Sequence, residues 1–224
     1  MTAAMAEPSA PISVVTQLYL ATKVLHTEAE RSGIIRDMLR GDASRDGYIL
    51  LQRNVLPAYQ ALEAGLTRHS DSPALAGLAR YRLDRATALA ADLTALCAGD
   101  FSDVPLLPAG AAYARRIEAA AEGDGELLIA HAYTRYLGDL SGGQILKRLL
   151  ASKPGLTPEQ LSFYDFPDHA DLAALKSDYR EALDAAGALA KHPQAIIDEG
   201  ARAFQLNTDL SWAVHGALAA ASDA

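Results

Sequence analysis

Cysteine is almost absent: Cys97 is the only one in 224 residues. A disulfide within the chain is therefore impossible, and cysteine-rich metal or cluster sites are excluded. Aromatic residues are scarce at 6%, and no stretch alternates apolar and polar residues at period two, so nothing in the pattern calls for a sheet. No apolar run approaches the ~20 residues a membrane span needs. The opening MTAAMAEPSAPIS lacks the basic and apolar blocks of a secretory signal. Basic residues are outnumbered, 20 Lys and Arg against 28 Asp and Glu, and the net charge of −8 argues against binding nucleic-acid phosphates. Glu-x-x-His does not occur, which removes a di-iron bundle, and neither does Gly-x-Gly-x-x-Gly. These absences lead us to expect a cytoplasmic protein with no membrane anchor and no nucleic-acid partner.

What is present is helix-forming sequence. Half of the residues are hydrophobic, mostly alanine and leucine, and the length suits one large domain. Residues 1–12, with Pro8 and Pro11, read as a loose arm, and 13–224 as a single all-α domain. Ser13 can cap a first helix, in which Leu18, Ala21 and Leu25 mark a buried stripe. A short helix ends at Gly41, and Ser44 opens a third that contains Pro57, a residue expected to kink it. Helix is expected through ALAGLARYRLDRATALAADLTALCAG, through AGAAYARRIEAAAEG and from Glu126 to Lys153. Thr157, Pro158 and Gln160 form a capped start. Two helices, near 168–189 and 194–220, finish the chain.

The segment AYTRYLGDLSGGQ, Ala132 to Gln144, is out of place in an alanine-rich helix, because it carries Gly138, Gly142 and Gly143. Each interior glycine costs about 0.5–1 kcal/mol relative to alanine. Gly138 and Gly142 share one face. That bare face serves either close helix–helix contact or a flat ligand against the backbone. Asp139 beside it, Arg135 one turn earlier, and the hydrogen-bonding groups of Tyr133, Thr134 and Tyr136 suggest a pocket with ordered water.

AYTRYLGDLSGGQ closely resembles the distal-helix signature of the heme oxygenases. The resemblance continues in ATKVLHTEAE, SRDGYILLQRNVLPAYQALE, LKSDYREAL and AFQLN, in the family's order and over most of the chain. It implies an all-helical fold with heme held between a proximal and a distal helix. It also implies oxidative opening of heme to biliverdin, expected to be the IXα isomer, with release of carbon monoxide and ferrous iron. Heme is then both substrate and cofactor. Dioxygen is the co-substrate, and an external ferredoxin or flavin reductase is the electron donor.

Among six histidines, His26 matches the family's proximal ligand to the heme iron. It shares a helix face with Thr22 and with Glu30, a carboxylate able to orient the ring. Heme propionates need cations or phenols, and the resemblance gives that task to Lys23, Lys176, Tyr179 and Arg180. Tyr19 stands where animal relatives carry a lysine. Phe204 and Asn207 match a helix bordering the heme. Gly138, Gly142 and Gly143 would let the ring approach the backbone, and Gly138 would limit the space above it. Asp139 would anchor water that delivers protons, in a network completed by Tyr59 and extended by Arg135. His131, two turns from Gly138, is expected to be structural, and His69, His169, His192 and His215 need no role. A heme carrier without chemistry would not need Asp139, Arg135 and Tyr59 together. A thiamine- or quinone-directed relative would lack His26 in its ATKVLHTEAE setting, and an alanine-rich scaffold leaves the glycine–acid–tyrosine cluster unexplained.

Overall fold

The computed structural model describes residues 12–152 and 155–222, so the arm expected at 1–12 lies almost wholly outside the described residues. Among the described residues there is helix and no strand. Helices α1 (Val14–Glu30), α2 (Gly33–Arg40) and α3 (Arg45–Arg68) open the chain. Ser13 accepts a hydrogen bond from the Thr16 amide and Ser44 from that of Gly47, as serine caps do, and Gly41 ends α2 in the left-handed region at φ 71°. Helix α3 runs unbroken through Pro57.

The long helix expected between residues 74 and 99 is broken. A short α4 (Ala76–Ala79) is separated from α5 (Arg85–Leu96) by a turn in which Arg82 and Asp84 take φ of 44° and 49°. Helix α6 is Pro108–Ala120, with proline in its first turn. The glycine-rich segment begins as α7 (Leu128–Ala132), widens into two π-helical turns, Tyr133–Leu137 and Asp139–Gly143, and tightens again in α8 (Gln144–Ser152). The start at Thr157 makes a full capping box but only one 3₁₀ turn, Pro158–Gln160, followed by another at Ser162–Tyr164. Helices α9 (Leu172–Leu189) and α10 (Pro193–Ser222) close the fold. No helix among the described residues is long and apolar enough to cross a membrane.

Two pairings dominate, α3 with α6 and α1 with α10. In the second, Gly200 of α10 leaves room for Leu18, since a Cβ there would stand 2.4 Å from Leu18 Cδ2 and force that side chain to shift. Asp184 of α9 adds a polar tie by accepting from the Val15 amide at 2.9 Å. The buried face of α1 is Val14, Val15, Leu18, Thr22 and Ala29. Ala21 is exposed and Leu25 half-buried, so the stripe expected through Leu18, Ala21 and Leu25 is rotated toward Thr22. Glu126 accepts from the amides of Lys191 and His192 and ties the chain ahead of α7 to the start of α10. Helix α1 and the π turns that follow α7 both pack against α9 and α10.

Candidate active site

Helix α1 and the first π turn meet where the Tyr133 phenol lies beside Thr22, with Tyr19 and Arg180 close by. Burial pushes the Tyr133 phenol up, so it is a neutral donor there. One turn further along α1 is His26, whose side chain is 57% exposed, with its Nδ1 3.6 Å from Glu30 Oε1. Phe204 of α10 backs the imidazole, ring centroids 5.7 Å apart. Five residues past Tyr133 is Gly138.

The glycines separate into two kinds. A Cβ on Gly138 or Gly142 would meet nothing within 4 Å, so no helix packs on that face and the bland explanation of the pair falls. A Cβ on Gly143 would stand 3.1 Å from Tyr164 Cδ1. Gly143 is therefore packed against the protein, where Gly138 and Gly142 are open, which corrects its expected place among ligand contacts. The ring it meets is well anchored. Asp92 accepts from the Ser162 and Phe163 amides, each at 2.9 Å, while Arg85 donates to the carbonyls of Leu83, Phe163 and Asp165. Extra width is what π turns supply inside an α-helix, and they recur at functional sites.

Asp139 opens the second π turn at only 8% exposure. The Tyr59 hydroxyl from α3 donates to its carboxylate, 2.9 Å from Oδ1 and 2.8 Å from Oδ2. Burial pushes the carboxyl up; Arg135, the Tyr59 bond and Arg85 pull it back, and it comes to about 6. Arg135 does not pair directly with Asp139, as its position one turn away had suggested. Its Nη2 donates to Asn207 Oδ1 at 3.0 Å, and its guanidinium lies over Tyr59 and Tyr113 at 5.6 and 5.7 Å from the ring centroids. Burial works against that charge, but the phenols of Tyr113 and Tyr59 and the Asp139 carboxylate outweigh it and hold the guanidinium above the ordinary arginine range. Arg135 Nε and the Tyr113 hydroxyl are buried without a protein partner. Buried polar atoms of this kind are normally met by ordered water.

Other expected residues divide. Lys23, Lys176 and Arg180 are exposed, as anion-binding cations must be. Tyr179 is not with them. It is fully buried, edge-on to Tyr81 and Tyr136, and belongs to an inward stripe with Leu175 and Leu183. Thr134 is buried and its hydroxyl donates to Ala130 O, and Thr22 is buried with its hydroxyl on Leu18 O. The Thr134 hydroxyl is spent within its own helix, while that of Thr22 also meets the Tyr133 phenol. His131 is structural as expected: fully buried, its Nε2 lies 2.9 Å from Glu199 Oε1, and Glu199 also takes Arg116 Nε at 2.8 Å. His69 and His215 are likewise engaged, on Ala121 O and Asp37. Tyr113 and Tyr164 escaped the sequence reading, because nothing near either one in the chain points to Arg135 or Gly143.

An exposed histidine on one helix and uncovered glycine backbone on another are features expected of one class, helical proteins that hold a flat ligand between two helices. The heme oxygenase family model matches residues 13–213. Heme oxygenase 1 of Nostoc is 36% identical over 208 residues, 92% of this chain and 87% of that one. Human heme oxygenase 1 is 36% identical over 206 residues, 90% of this chain and 72% of that one. Heme oxygenase-1 of the cyanobacterium Synechocystis, solved in complex with heme, superposes with a TM-score of 0.86 at 33% identity, covering 95% of this chain and 96% of that one. The enzyme from Leptospira interrogans gives 0.84 at 33% identity, covering 90% and 99%. This chain belongs to the heme oxygenase family, and it is an enzyme of that kind.

Proposed function

We propose that the chain cleaves heme oxidatively to biliverdin, the IXα isomer, releasing carbon monoxide and ferrous iron, with dioxygen and electrons from an external ferredoxin or flavin reductase. The observation that carries this reading is the open backbone at Gly138 and Gly142, where a side chain would meet nothing, together with an exposed imidazole on α1, the helix that meets the first π turn at Thr22 and Tyr133. Those features suit a porphyrin. His26 would bind its iron with Glu30 steadying the ring, and Lys23, Arg180, Lys176 and the Tyr133 phenol would meet its propionates. Bound heme supplies the oxygen-activating iron and is itself the molecule that is opened.

The chain's own residues govern direction and protons. The uncovered backbone of Gly138 and Gly142 admits the ring while denying room above it. Asp139, ionised above about pH 6 and fixed by Tyr59, is placed to hold water in the cleft. That water would donate hydrogen bonds, and then protons, to the oxygen being reduced. Arg135, held by Asn207 and two phenol rings, keeps a positive charge near the carboxylate and favours its ionised form. Such water would also satisfy the unpartnered Tyr113 hydroxyl and Arg135 Nε.

Hemin titration tests the ligand assignment. The wild-type protein is expected to take up one equivalent and give a histidine-ligated Soret spectrum. His26→Ala is expected to lose that spectrum and recover it with added imidazole. An unaltered spectrum in the variant would mean that another group holds the iron.

A further inference from the structure

A cavity of about 560 Å³ opens where α3, α4, α9 and the first π turn meet. None of His26, Gly138, Asp139 or Gly142 lines it, so it is a space apart from the proposed heme site. Its size falls in the range of small-molecule pockets, roughly 300–1,000 Å³.

The floor is apolar and aromatic. Leu66, Leu78, Leu83, Tyr136 and Tyr179 line it, and all five are buried. Tyr179 follows from the inward stripe of α9, between Leu175 and Leu183. Its ring is held edge-on by Tyr81 at 5.0 Å and by Tyr136 at 5.8 Å. Its hydroxyl is buried and has no protein partner. Packing alone would be served by phenylalanine, since a buried hydroxyl without a partner is destabilising. Burial keeps the phenol neutral, so it has a hydrogen bond to donate.

The mouth is charged. Arg80 and Arg82 line it and are exposed, and neither forms an ion pair among the described residues. The Arg80 guanidinium lies over the Tyr81 ring, 5.3 Å from its centroid. Two acids share the lining, Asp84 at the rim and Glu63 in the wall. Glu63 is already engaged by the Ala86 amide at 2.9 Å, and burial pushes its carboxyl up. The rim is also strained. Arg82 and Asp84 take φ of 44° and 49°, which side-chain-bearing residues seldom adopt. Arg85 Nε braces the turn by donating to Leu83 O at 2.7 Å. Backbone strain of this kind recurs at ligand clamps.

We propose that this cavity is a second ligand site, which takes a small aromatic carboxylate bearing a hydroxyl or carbonyl oxygen on its ring. The ring lies on the leucines and Tyr136, its oxygen accepts from the Tyr179 hydroxyl, and the carboxylate meets Arg80 and Arg82. The site does not depend on the heme-cleavage reading, because it shares no residue with the proposed heme contacts other than the corrected Tyr179.

The probe is 6-hydroxy-2-naphthoate, whose hydroxyl and carboxylate stand at opposite ends of a flat body, followed by isothermal titration. One equivalent is expected to bind, with affinities for heme-free and hemin-loaded protein within about threefold of each other. Tyr179→Phe is expected to weaken 6-hydroxy-2-naphthoate about tenfold and to leave 2-naphthoate, which lacks the hydroxyl, unchanged. Arg80→Ala with Arg82→Ala is expected to weaken both carboxylates about tenfold and to spare 2-naphthol. Ala79→Phe fills the cavity and is expected to abolish binding, while hemin uptake in each variant reports that the fold is intact. No binding at up to about 1 mM probe would overturn the proposal. So would competition by hemin, or affinity that neither the Tyr179 nor the arginine variants change.

Discussion

The Tyr59 hydroxyl bridges both oxygens of the Asp139 carboxylate, at 2.9 and 2.8 Å, and so joins α3 to the distal helix across 80 positions of sequence. The phenol is held well above its ordinary range, first by burial and then by the Asp139 charge, so it is the donor and the carboxylate the acceptor. The bond favours the ionised acid. Tyr59→Phe removes that preference, and the Asp139 carboxyl is expected to titrate about one unit higher. The sign follows directly. If the ionised form anchors the water, product formation in wild type rises with pH through about 6, and in the variant the rise moves to higher pH. Carbon-13 NMR of the Asp139 side chain and a pH–rate profile check both halves, and an unmoved acid limb would detach Asp139 from catalysis.

Asp139→Ala goes further. The carboxylate is not needed to seat the ring, so hemin affinity is expected to stay within about threefold of wild type, while biliverdin yield falls about 100-fold, in the range of lost acid–base assistance. Oxygen consumption should continue with hydrogen peroxide released instead. Quantifying bilin and peroxide in the same reaction checks this outcome, and an unchanged bilin yield would remove the water-anchor role.

The glycines should respond in opposite ways. At Gly138 a methyl group meets open space, so Gly138→Ala is expected to leave folding stability equal or raised by about 0.5–1 kcal/mol, while hemin affinity falls about tenfold. At Gly143 the methyl meets Tyr164 at 3.1 Å, so Gly143→Ala is expected to lose about 1 kcal/mol of stability through crowding. Thermal unfolding with and without hemin separates the two.

The buried Glu199 carboxylate sets an acid limit on the fold. Its pKa, depressed to about 2 in the folded chain, means that it stabilises fully above the unfolded value and loses that contribution as pH falls through about 2. From 4.5 to about 2 the difference corresponds to about 3 kcal/mol. Glu199→Gln is expected to lose stability at pH 7 and to show a flatter stability profile below pH 5. Denaturant titrations at several pH values measure both slopes.

The caps at Ser13, Ser44 and Gly41 were legible because capping is local chemistry, decided within four residues. The break at Arg82 and Asp84 was not, because two non-glycine residues in the left-handed region give no compositional signal. At the site, Tyr59 reaches Asp139, and Gly138 and Gly142 are uncovered. Tyr179, grouped with Lys176 and Arg180 by the resemblance, is turned away from them because the outward arc of α9 ends between Arg180 and Tyr179. Leu175 and Leu183, one turn to either side, carried that information in the sequence. Gly143 and Thr134 face inward for a reason only tertiary structure supplies: the turns around them are π-helical, and widened turns rotate side chains away from the positions that regular period assigns.

The central claim is that a porphyrin seated between His26 and the uncovered backbone of Gly138 and Gly142 is opened there. Its most direct test is a single turnover of the hemin-reconstituted protein with a chemical or ferredoxin reductant and air, followed by chromatography of the pigment. The expected result is loss of the Soret band with appearance of biliverdin IXα and one equivalent each of carbon monoxide and ferrous iron. A Soret band that persists, or bleaches without any open-chain tetrapyrrole, would contradict it.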